Sequence, residues 1–273
     1  MEERKLSSWE DFEEAIGEVF RRFLKRREEA RPVRIFPPLF RGQSKACWSL
    51  ETTLERYAGR PYTMRGYWEL IRNFVKNPVE SMTERRWDIG KYPKAGTEPY
   101  GPPPGYEFMV YLRHHGFPSP LLDWSQSPYV AAFFAFRSAA SAKKSRERPD
   151  GEVAIYCYHE CWKGAKTGRK DKPHIIGLGP NIVTTPRHFR QRSWYTYCRV
   201  LQNGLYSYAN HEEVFHEGRR DQDVLTKYVI PASECRQCLN RLSLMNINAY
   251  SLFGSEEGLM ETLAYRAIIS ESL

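Results

Sequence analysis

Apolar residues recur every three to four positions in several stretches of the chain, and this spacing predicts helices. The six predicted helices span 8–28, 64–82, 107–115, 127–140, 231–244 and 255–268. The first follows Ser7-x-x-Glu10, a pattern typical of a capped helix start. The fourth is apolar nearly all round, which predicts a deeply buried helix.

Short β-branched or alternating runs between these helices predict strands at 33–40, 153–158, 182–185 and 224–230. Residues 84–105 hold five prolines and four glycines and predict a long loop, either a lid or a disordered crossing. Solvated links are predicted at 143–152 and, with a basic character, at 163–172.

Helices that alternate irregularly with short strands are typical of the α+β class. We therefore expect a single compact domain with a small mixed or antiparallel central sheet surrounded by helices. The sequence shows no internal boundary. Residues 1–30 are interpreted as an N-terminal helical element packed on a domain that spans 31–273.

The composition of the 273 residues narrows the class of protein. Apolar residues make up 41%, enough for a hydrophobic core, so the chain is not of the disordered class. The net charge of +8 favours nucleic acid or a phosphorylated cofactor as partner, although an ordinary basic protein has such a charge too. Without an apolar run of eighteen residues or a secretory signal, we expect no membrane segment and a cytoplasmic location.

The six cysteines are scattered and give no strong metal pattern. Cys235-x-x-Cys238 falls in a predicted helix and lacks a second pair, so both are interpreted as partly buried thiols. Cys157, His159 and Cys161 would share one side of a strand, but this short cluster has no partner cluster. No metal is expected.

Three motifs could carry chemistry, and the first is Phe40-Arg41-Gly42-Gln43 at a predicted strand end. Glycine removes side-chain bulk and lets the backbone turn sharply, so that the arginine projects into a cleft. The planar guanidinium matches a phosphate or carboxylate with two parallel hydrogen bonds. Alternatively, Arg41 is buried and pairs with an internal carboxylate.

The second motif, residues 111–128, packs titratable and hydroxyl side chains into a turn before the buried helix. The first turn of that helix offers backbone N–H groups to an anion. Asp123, Ser125 and Ser127 could equally cap the turn or the helix. His114 could equally be a core histidine with satisfied hydrogen bonds.

The third motif, residues 185–195, interleaves basic and aromatic side chains, as in surfaces that neutralise phosphates and stack on rings. Arg187 and Gln191 would be neighbours on a helical turn.

These motifs together resemble the FRG-domain family over 39–263. The family opens with Phe/Tyr-Arg-Gly, then Gln and Trp-Leu-x-x-x-Leu-x-Arg, which is similar to 40–43 and 48–56. Its centre, Gln-His-Tyr-Gly-Leu-Pro-Thr-Arg-Leu-Leu-Asp-Trp-Thr-x-x-Pro, is similar to 113–128, where this chain departs at Arg113, His115 and Pro120. Matching downstream features are Arg187 and Gln191, Ile230-Pro231, and 252–259. The resemblance implies a bacterial or phage-related intracellular protein.

Two of the motifs also resemble arginine-type ADP-ribosyltransferases. There an aromatic-Arg-Gly segment holds a phosphate of NAD, and a Ser-Thr-Ser segment precedes a helix. This chain has Ser125-Gln126-Ser127, with Gln in place of Thr. Such sites need a glutamate near the ribose, for which Glu257 or Glu256 is the candidate. Glu256-Glu257 does not match Glu-x-Glu, and both could simply open a helix.

Three functions remain open from the sequence. The leading hypothesis is an ADP-ribosyltransferase-like domain that consumes NAD as substrate, as transferase or glycohydrolase, in bacterial or phage-related conflict. The alternatives are a module that binds RNA or DNA, or a metal-independent ribonuclease, and a non-catalytic module that binds a protein partner. The candidate catalytic residues are Arg41, His114, Asp123 and Glu257. The candidate ligand-binding residues are Gly42, Gln43, Trp124, Ser125, Ser127, Arg187 and Gln191.

Overall fold

The computed structural model describes residues 1–30, 35–140, 151–161, 170–179, 182, 186–216 and 223–269. Within these ranges the strands are β1 (Glu2–Lys5), β2 (Leu39–Gln43), β3 (Leu122–Ser125), β4 (Glu152–His159), β5 (His174–Leu178), β6 (Ser193–Gln202), β7 (Leu205–Tyr208) and β8 (Val224–Pro231). The α-helices are α1 (Trp9–Glu29), α2 (Thr53–Ala58), α3 (Met64–Leu70), α4 (Lys76–Thr83), α5 (Tyr106–His114), α6 (Pro128–Ala140), α7 (Pro186–Arg190), α8 (Glu213–His216), α9 (Cys235–Leu244), α10 (Ala249–Phe253) and α11 (Glu256–Ala264). A π-helical turn at Ile71–Val75 joins α3 to α4, and another, Tyr265–Ile269, extends α11.

All strands of the described residues belong to one sheet in the order β1-β8-β4-β2-β3-β6-β5, with β7 paired to β6. The pair β1–β8 is parallel and the other pairs are antiparallel, so the sheet is mixed. The α+β class and the single compact fold are confirmed. The sheet is larger than expected, because the sequence analysis assigned no strand to β1, β3, β5, β6 or β7.

The predicted helices are found with small shifts, and two local predictions are wrong in detail. Helix α1 is capped by Ser8, whose hydroxyl accepts from the N–H of Asp11, one residue later than the Ser7 pattern predicted. The strand predicted at 33–40 begins only at Leu39, after Pro37-Pro38, and it continues beyond Arg41 to Gln43. Of the strand predicted at 182–185, only residue 182 is described. The links at 143–152 and 163–172 lie mostly outside the described residues.

Gly42 brings strand β2 into contact with the backbone of α6. A Cβ atom at this position would lie 1.9 Å from the carbonyl oxygen of Ala131 and 2.7 Å from the backbone nitrogen of Ala135. Real Cβ atoms do not approach so closely, so only glycine fits. The glycine therefore serves close strand–helix packing within a continuous strand, and the sharp turn expected from the sequence does not occur.

Residues 84–105 pack against α3 and β6. Trp68 donates from Nε1 to the carbonyl of Ile89, and the Tyr197 hydroxyl donates to the carbonyl of Gly101. Arg199 donates to the carbonyl oxygens of Glu98 and Pro99. The segment is therefore neither a disordered crossing nor, in the described part of the chain, a cover over the cleft described below.

Searches of the described residues found neither a helix of the length and apolarity needed to span a membrane nor a cluster of three or more metal-ligating side chains. Cys157 and His159 do share one side of β4, with Sγ and Nε2 3.5 Å apart. Cys235 and Cys238 are buried thiols in α9. Burial raises the pKa of the Cys235 thiol to about 12, so it stays protonated at neutral pH.

Candidate ligand-binding cleft

The central sheet opens between β2 and β3. β2 pairs with β4 along five residues and β3 pairs with β6 along four, whereas β2 and β3 share a single residue pair, Phe40 with Ser125, in the described structure. Beyond that pair the two strands separate. A gap in the middle of a sheet leaves room for a ligand to reach side chains from both of its faces.

A cavity of about 620 Å³ fills this gap, and we call it the β2–β3 cleft. This volume lies within the range typical of small-molecule and cofactor sites. Its polar lining residues are Arg41, Gln43, Ser44, Ser49, Glu51, Arg56, Arg113, Asp123, Ser125, Arg187, Gln191 and Ser193. The remaining lining residues are Phe40, Gly42, Cys47, Trp48, Trp124, Val130, Ala131 and Phe134. Among the described lining residues four arginines face two carboxylates, so the cleft is basic.

Arg41 bridges the gap with its side chain. Its Nη1 donates to the backbone carbonyl of Asp123 at 2.8 Å, where the β2 and β3 backbones no longer pair. Its Nε is buried and has no hydrogen-bond partner among the described residues. Burial lowers the pKa of Arg41 to about 10, so the guanidinium keeps its charge at neutral pH. One donor of a buried, charged fork thus remains unused in the cleft.

Asp123 is held by Arg113 rather than by Arg41. Arg113 Nε and Nη2 lie 2.9 and 2.7 Å from Asp123 Oδ2, and Arg113 Nη1 donates to Thr53. Burial alone would raise the pKa of Asp123, but the attraction of Arg113 and Arg41 holds it below its ordinary value. Because 42% of the Asp123 side chain remains exposed, its ionised carboxylate can still be reached from the cleft.

The internal carboxylate partner suggested for Arg41 therefore belongs to Arg113. The family pattern has glutamine at position 113 and arginine at 120, and this chain has Arg113 and Pro120 instead. Arg113, at which this chain differs from the family pattern, thus orients the Asp123 carboxylate in the cleft.

Gln43 follows Arg41 by two residues on β2 and is 6% exposed. Its Nε2 donates to the carbonyl of Ser49 at 3.1 Å. Its Oε1 is buried and has no partner in the described structure. The cleft therefore holds an unused acceptor as well as an unused donor.

Arg187 and Gln191, which their i, i+4 spacing predicts to be neighbours, both line the cleft. The Arg187 guanidinium lies 4.4 Å from the ring centroid of Phe253 and has no carboxylate within 4 Å among the described residues. Gln191 donates from Nε2 to the carbonyl of Leu252 at 3.3 Å. The Leu252-Phe253 segment at the end of α10 thus supports α7 at the edge of the cleft.

Ser125, Ser127 and Trp124 have mainly structural contacts. The Ser125 hydroxyl donates to the carbonyl of Gln191 and accepts from the N–H of Ser127. The Ser127 hydroxyl accepts from the N–H of Val130 and so caps α6, and Ser127 does not line the cleft. Trp124 is buried and donates from Nε1 to Thr196. The capping interpretation accounts for Ser127, while Ser125 and Trp124 also form part of the cleft wall.

His114 lies beside the cleft and is not among its lining residues. Its Nε2 is 2.7 Å from the hydroxyl of Tyr195, which also contacts Nδ1 of His188. Burial lowers the pKa of His114, which favours the neutral ring. The structure therefore places His114 in an internal hydrogen-bond chain rather than beside Arg41.

Glu257 also lies outside the cleft, exposed in the first turn of α11. A hydrogen bond with Ser255, the N-cap residue of α11, lowers the pKa of its carboxyl group. The helix-opening alternative describes this position, and the expected convergence of Glu257 with Arg41 does not occur. The carboxylates that do line the cleft, among described residues, are Asp123 and Glu51.

Three further residues, Trp48, Glu51 and Arg56, line the cleft although no sequence pattern pointed to them as functional. All three lie in the stretch that is similar to the family's Trp-Leu-x-x-x-Leu-x-Arg pattern, so the family resemblance could have identified them. Trp48 is 50% exposed at the cleft, and Arg56 donates to the backbone carbonyl of Glu51. The Glu51 carboxylate has no ion-pair partner within the described ranges.

Comparison with known proteins found one family match. The family model described as the FRG domain matches residues 37–144. This range contains β2, β3 and α6, and so most of the cleft, while Arg187, Gln191 and Ser193 lie beyond it. Searches of curated proteins and of solved structures found no match to the chain. The protein therefore carries an FRG domain, whose Phe40-Arg41-Gly42 motif forms one wall of the cleft.

Proposed function

We propose that the β2–β3 cleft binds NAD and breaks the bond between its nicotinamide ring and ribose, as an NAD glycohydrolase or an ADP-ribosyltransferase. The observation that carries this proposal is the unused hydrogen-bonding capacity of two buried atoms, Arg41 Nε and Gln43 Oε1, in a basic cavity at the opening of the sheet. Buried polar groups are normally paired, and those left unpaired are often completed by a ligand.

The cations of the cleft suit the two phosphates of a dinucleotide. Arg113 is engaged by Asp123, which leaves Arg41, Arg56 and Arg187 for an anionic ligand. None of these three has a carboxylate within 4 Å among the described residues. A guanidinium binds phosphate through two parallel hydrogen bonds, and the Nε of Arg41 is available for one of them.

The aromatic side chain of Trp48 at the edge of the cleft is suited to stack on a flat ring of the ligand. The half-exposed indole of Trp48 borders the cleft near the arginines, with Lys45 Nζ 5.7 Å from its ring centroid. Base–aromatic stacking contributes about 1–3 kcal/mol to binding and accepts any flat heterocycle. Phosphate-binding cations beside a stacking surface match a nucleotide better than a simple anion.

The carboxylates can stabilise the reacting ribose. When the bond between ribose C1′ and the nicotinamide nitrogen breaks, its electron pair leaves with nicotinamide and positive charge develops on the ribose. An ionised carboxylate in a partly desolvated cleft stabilises that charge. Water, or an acceptor group, then forms the new bond to C1′ and loses a proton. Asp123, oriented by Arg113, and the unpaired Glu51 are the two candidates.

Nicotinamide release from NAD tests the proposal, with Glu51→Gln, Asp123→Asn and Glu257→Gln compared with wild type. We expect at least one of the first two changes to lower turnover by about 100-fold while NAD affinity stays within about threefold, because the charge acts in the transition state. Glu257→Gln is the matched control outside the cleft and should keep wild-type turnover. No release under any condition, or a loss only in Glu257→Gln, contradicts the proposal.

One observation favours the nucleic-acid alternative. In α7 and the turn that follows it, the side chains of Phe189, Arg190 and Arg192 are exposed, and Phe189 is 65% exposed. Exposed aromatic and basic side chains bind single-stranded RNA by stacking and phosphate contacts. If this surface binds RNA, Phe189→Ala lowers RNA affinity at least about fivefold, as fluorescence anisotropy would show. A ribonuclease mechanism with His114 as the base has less support, because His114 does not line the cleft.

A further inference from the structure

The orientation of the Gln43 amide limits what its side chain can recognise. Its Nε2 donates to the carbonyl oxygen of Ser49. Turning the amide over would place Oε1 against that carbonyl, and two acceptors would then face each other without a proton. The amide nitrogen therefore stays on Ser49, and the acceptor Oε1 is the atom left without a partner in the described structure.

A ligand group that completes Gln43 must therefore donate a hydrogen bond. Gln43 is 6% exposed and lines the cleft, so water has poor access to its unused acceptor. A buried acceptor favours ligands that supply an N–H or O–H and disfavours those that bring a second acceptor. A site of this kind discriminates strongly between analogues that differ in a single donor.

The position of Gln43 relative to Arg41 indicates which part of the ligand reaches it. The two residues are two positions apart on one strand and point to the same face, so their Cα atoms are about 7 Å apart. A phosphate on Arg41 therefore places the attached ribose and its ring near Gln43. Arg41 is also bonded to the backbone of Asp123, one of the two carboxylates assigned to the reacting ribose.

We propose that Gln43 is the specificity-determining residue that accepts a hydrogen bond from the carboxamide NH₂ of the nicotinamide ring. This inference rests on the proposed function and extends it by assigning the reactive end of NAD to the Arg41–Gln43 end of the cleft. Nicotinic acid adenine dinucleotide carries a carboxylate in place of the carboxamide. It offers Oε1 no donor and is therefore rejected.

Calorimetric titration measures the effect with four ligands: NAD, its nicotinic acid analogue, its hypoxanthine analogue and ADP-ribose. Wild type binds NAD at least about tenfold more tightly than the nicotinic acid analogue. Gln43→Met keeps the side-chain volume but removes the amide acceptor, and the preference falls below about threefold. ADP-ribose affinity stays equal in the two proteins. Gln237→Met, the matched change at an exposed glutamine of α9 outside the cleft, keeps the preference.

The outcomes separate this inference from the proposed function. If ADP-ribose binds but wild type does not distinguish NAD from its nicotinic acid analogue, the role of Gln43 is overturned and the NAD cleft stands. If wild type instead discriminates against the hypoxanthine analogue, Gln43 reads the adenine end and the assignment is reversed. If neither NAD nor ADP-ribose binds, both proposals fail.

Discussion

Two arginines of the same sheet, Arg199 buried and Arg41 partly buried, have different surroundings. Arg199, on β6, is 3% exposed, donates to His174 and to two carbonyls of the 84–105 segment, and lies 4.2 Å from the ring centroid of Tyr206. Arg41, on β2, makes one hydrogen bond in the described structure and leaves its Nε without a partner. The Arg199 guanidinium donates three hydrogen bonds within its own chain, whereas the Arg41 guanidinium donates one and keeps a buried unused donor beside a cavity.

This difference distinguishes an arginine that stabilises the fold from an arginine that is available to a ligand. A buried cation with satisfied hydrogen bonds fixes the chain around it, and Arg199 in this way holds a long loop on the sheet. A cation with a buried, unused donor costs free energy that its single hydrogen bond to the fold offsets only in part. Such a group is retained where a ligand completes it, so the comparison favours Arg41 and not Arg199 as a ligand contact.

Removing Arg41 should have the largest effect on activity. We expect Arg41→Ala to lower kcat/KM for NAD cleavage by at least about 100-fold, because the phosphate loses a charge-assisted contact in the desolvated cleft. Arg41→Lys should fail as well, since an ammonium cannot reproduce the planar fork. Nicotinamide release measured at fixed NAD concentrations checks both. Wild-type turnover in Arg41→Lys would mean that the geometry of the fork is irrelevant.

Gly42→Ala tests whether the packing of β2 on α6 supports the cleft. The new Cβ would meet backbone atoms that cannot rotate away, so we expect a loss of about 3 kcal/mol in the free energy of unfolding. Gly179→Ala is the control, because its Cβ would meet only Trp194 at ordinary contact distance, 3.9 Å. Urea denaturation of both variants gives the comparison. Equal stabilities would contradict the close packing.

Acid should weaken the fold through a histidine outside the cleft. Burial lowers the pKa of His159 to about 4, below its ordinary value of 6.5. Since the unfolded chain binds the proton more readily, this part of the stability is complete above pH 6.5. It falls as the pH drops from 6.5 toward 4, by on the order of 3 kcal/mol. Urea denaturation at successive pH values measures the loss. His159→Gln should flatten it, and an equal slope in that variant would assign the effect elsewhere.

Matched substitutions by methionine should give unequal stability changes at the two arginines. Arg199→Met removes two hydrogen bonds that hold the 84–105 segment and a third to His174 on β5, and we expect a loss of about 2 kcal/mol. Arg41→Met removes an incompletely bonded buried cation, so the free energy of unfolding should stay equal or rise slightly. Thermal unfolding of the two variants distinguishes them, and a larger loss for Arg41→Met would reverse the comparison.

The sequence predicted helices better than strands, for a physical reason. A helix such as α1 carries its apolar period within one local stretch, whereas a strand depends on partners far along the chain. β6 has eight consecutive buried residues, so it lacks the alternation of a half-buried strand, and it was interpreted only as a basic-aromatic motif. β3 has only four residues, and its sequence resembles a turn. Its pairing with β6, which is distant in sequence, makes it a strand.

The site residues, like the secondary structure, could be predicted from the sequence only where a local pattern revealed them. Arg41, Gln43, Asp123, Arg187 and Gln191 were identified because polar residues within motifs had no role in an apolar period, and all five line the cleft. The same criterion also selected Glu257 and His114. In the structure, however, Glu257 bonds locally to the N-cap of α11 and His114 bonds to the buried Tyr195. Glu51 and Trp48 became candidates only when the structure placed them in the lining of the same cleft as Arg41.

The affinity of ADP-ribose for wild type, Arg41→Met and Arg199→Met, measured by isothermal titration calorimetry, tests the central claim most directly. ADP-ribose carries both phosphates of NAD but has no nicotinamide to lose, so binding is measured without turnover. We predict that wild type binds, that Arg41→Met weakens binding at least about tenfold, and that folded Arg199→Met stays within about threefold of wild type. Equal binding by wild type and Arg41→Met, or no binding by wild type, would contradict the account.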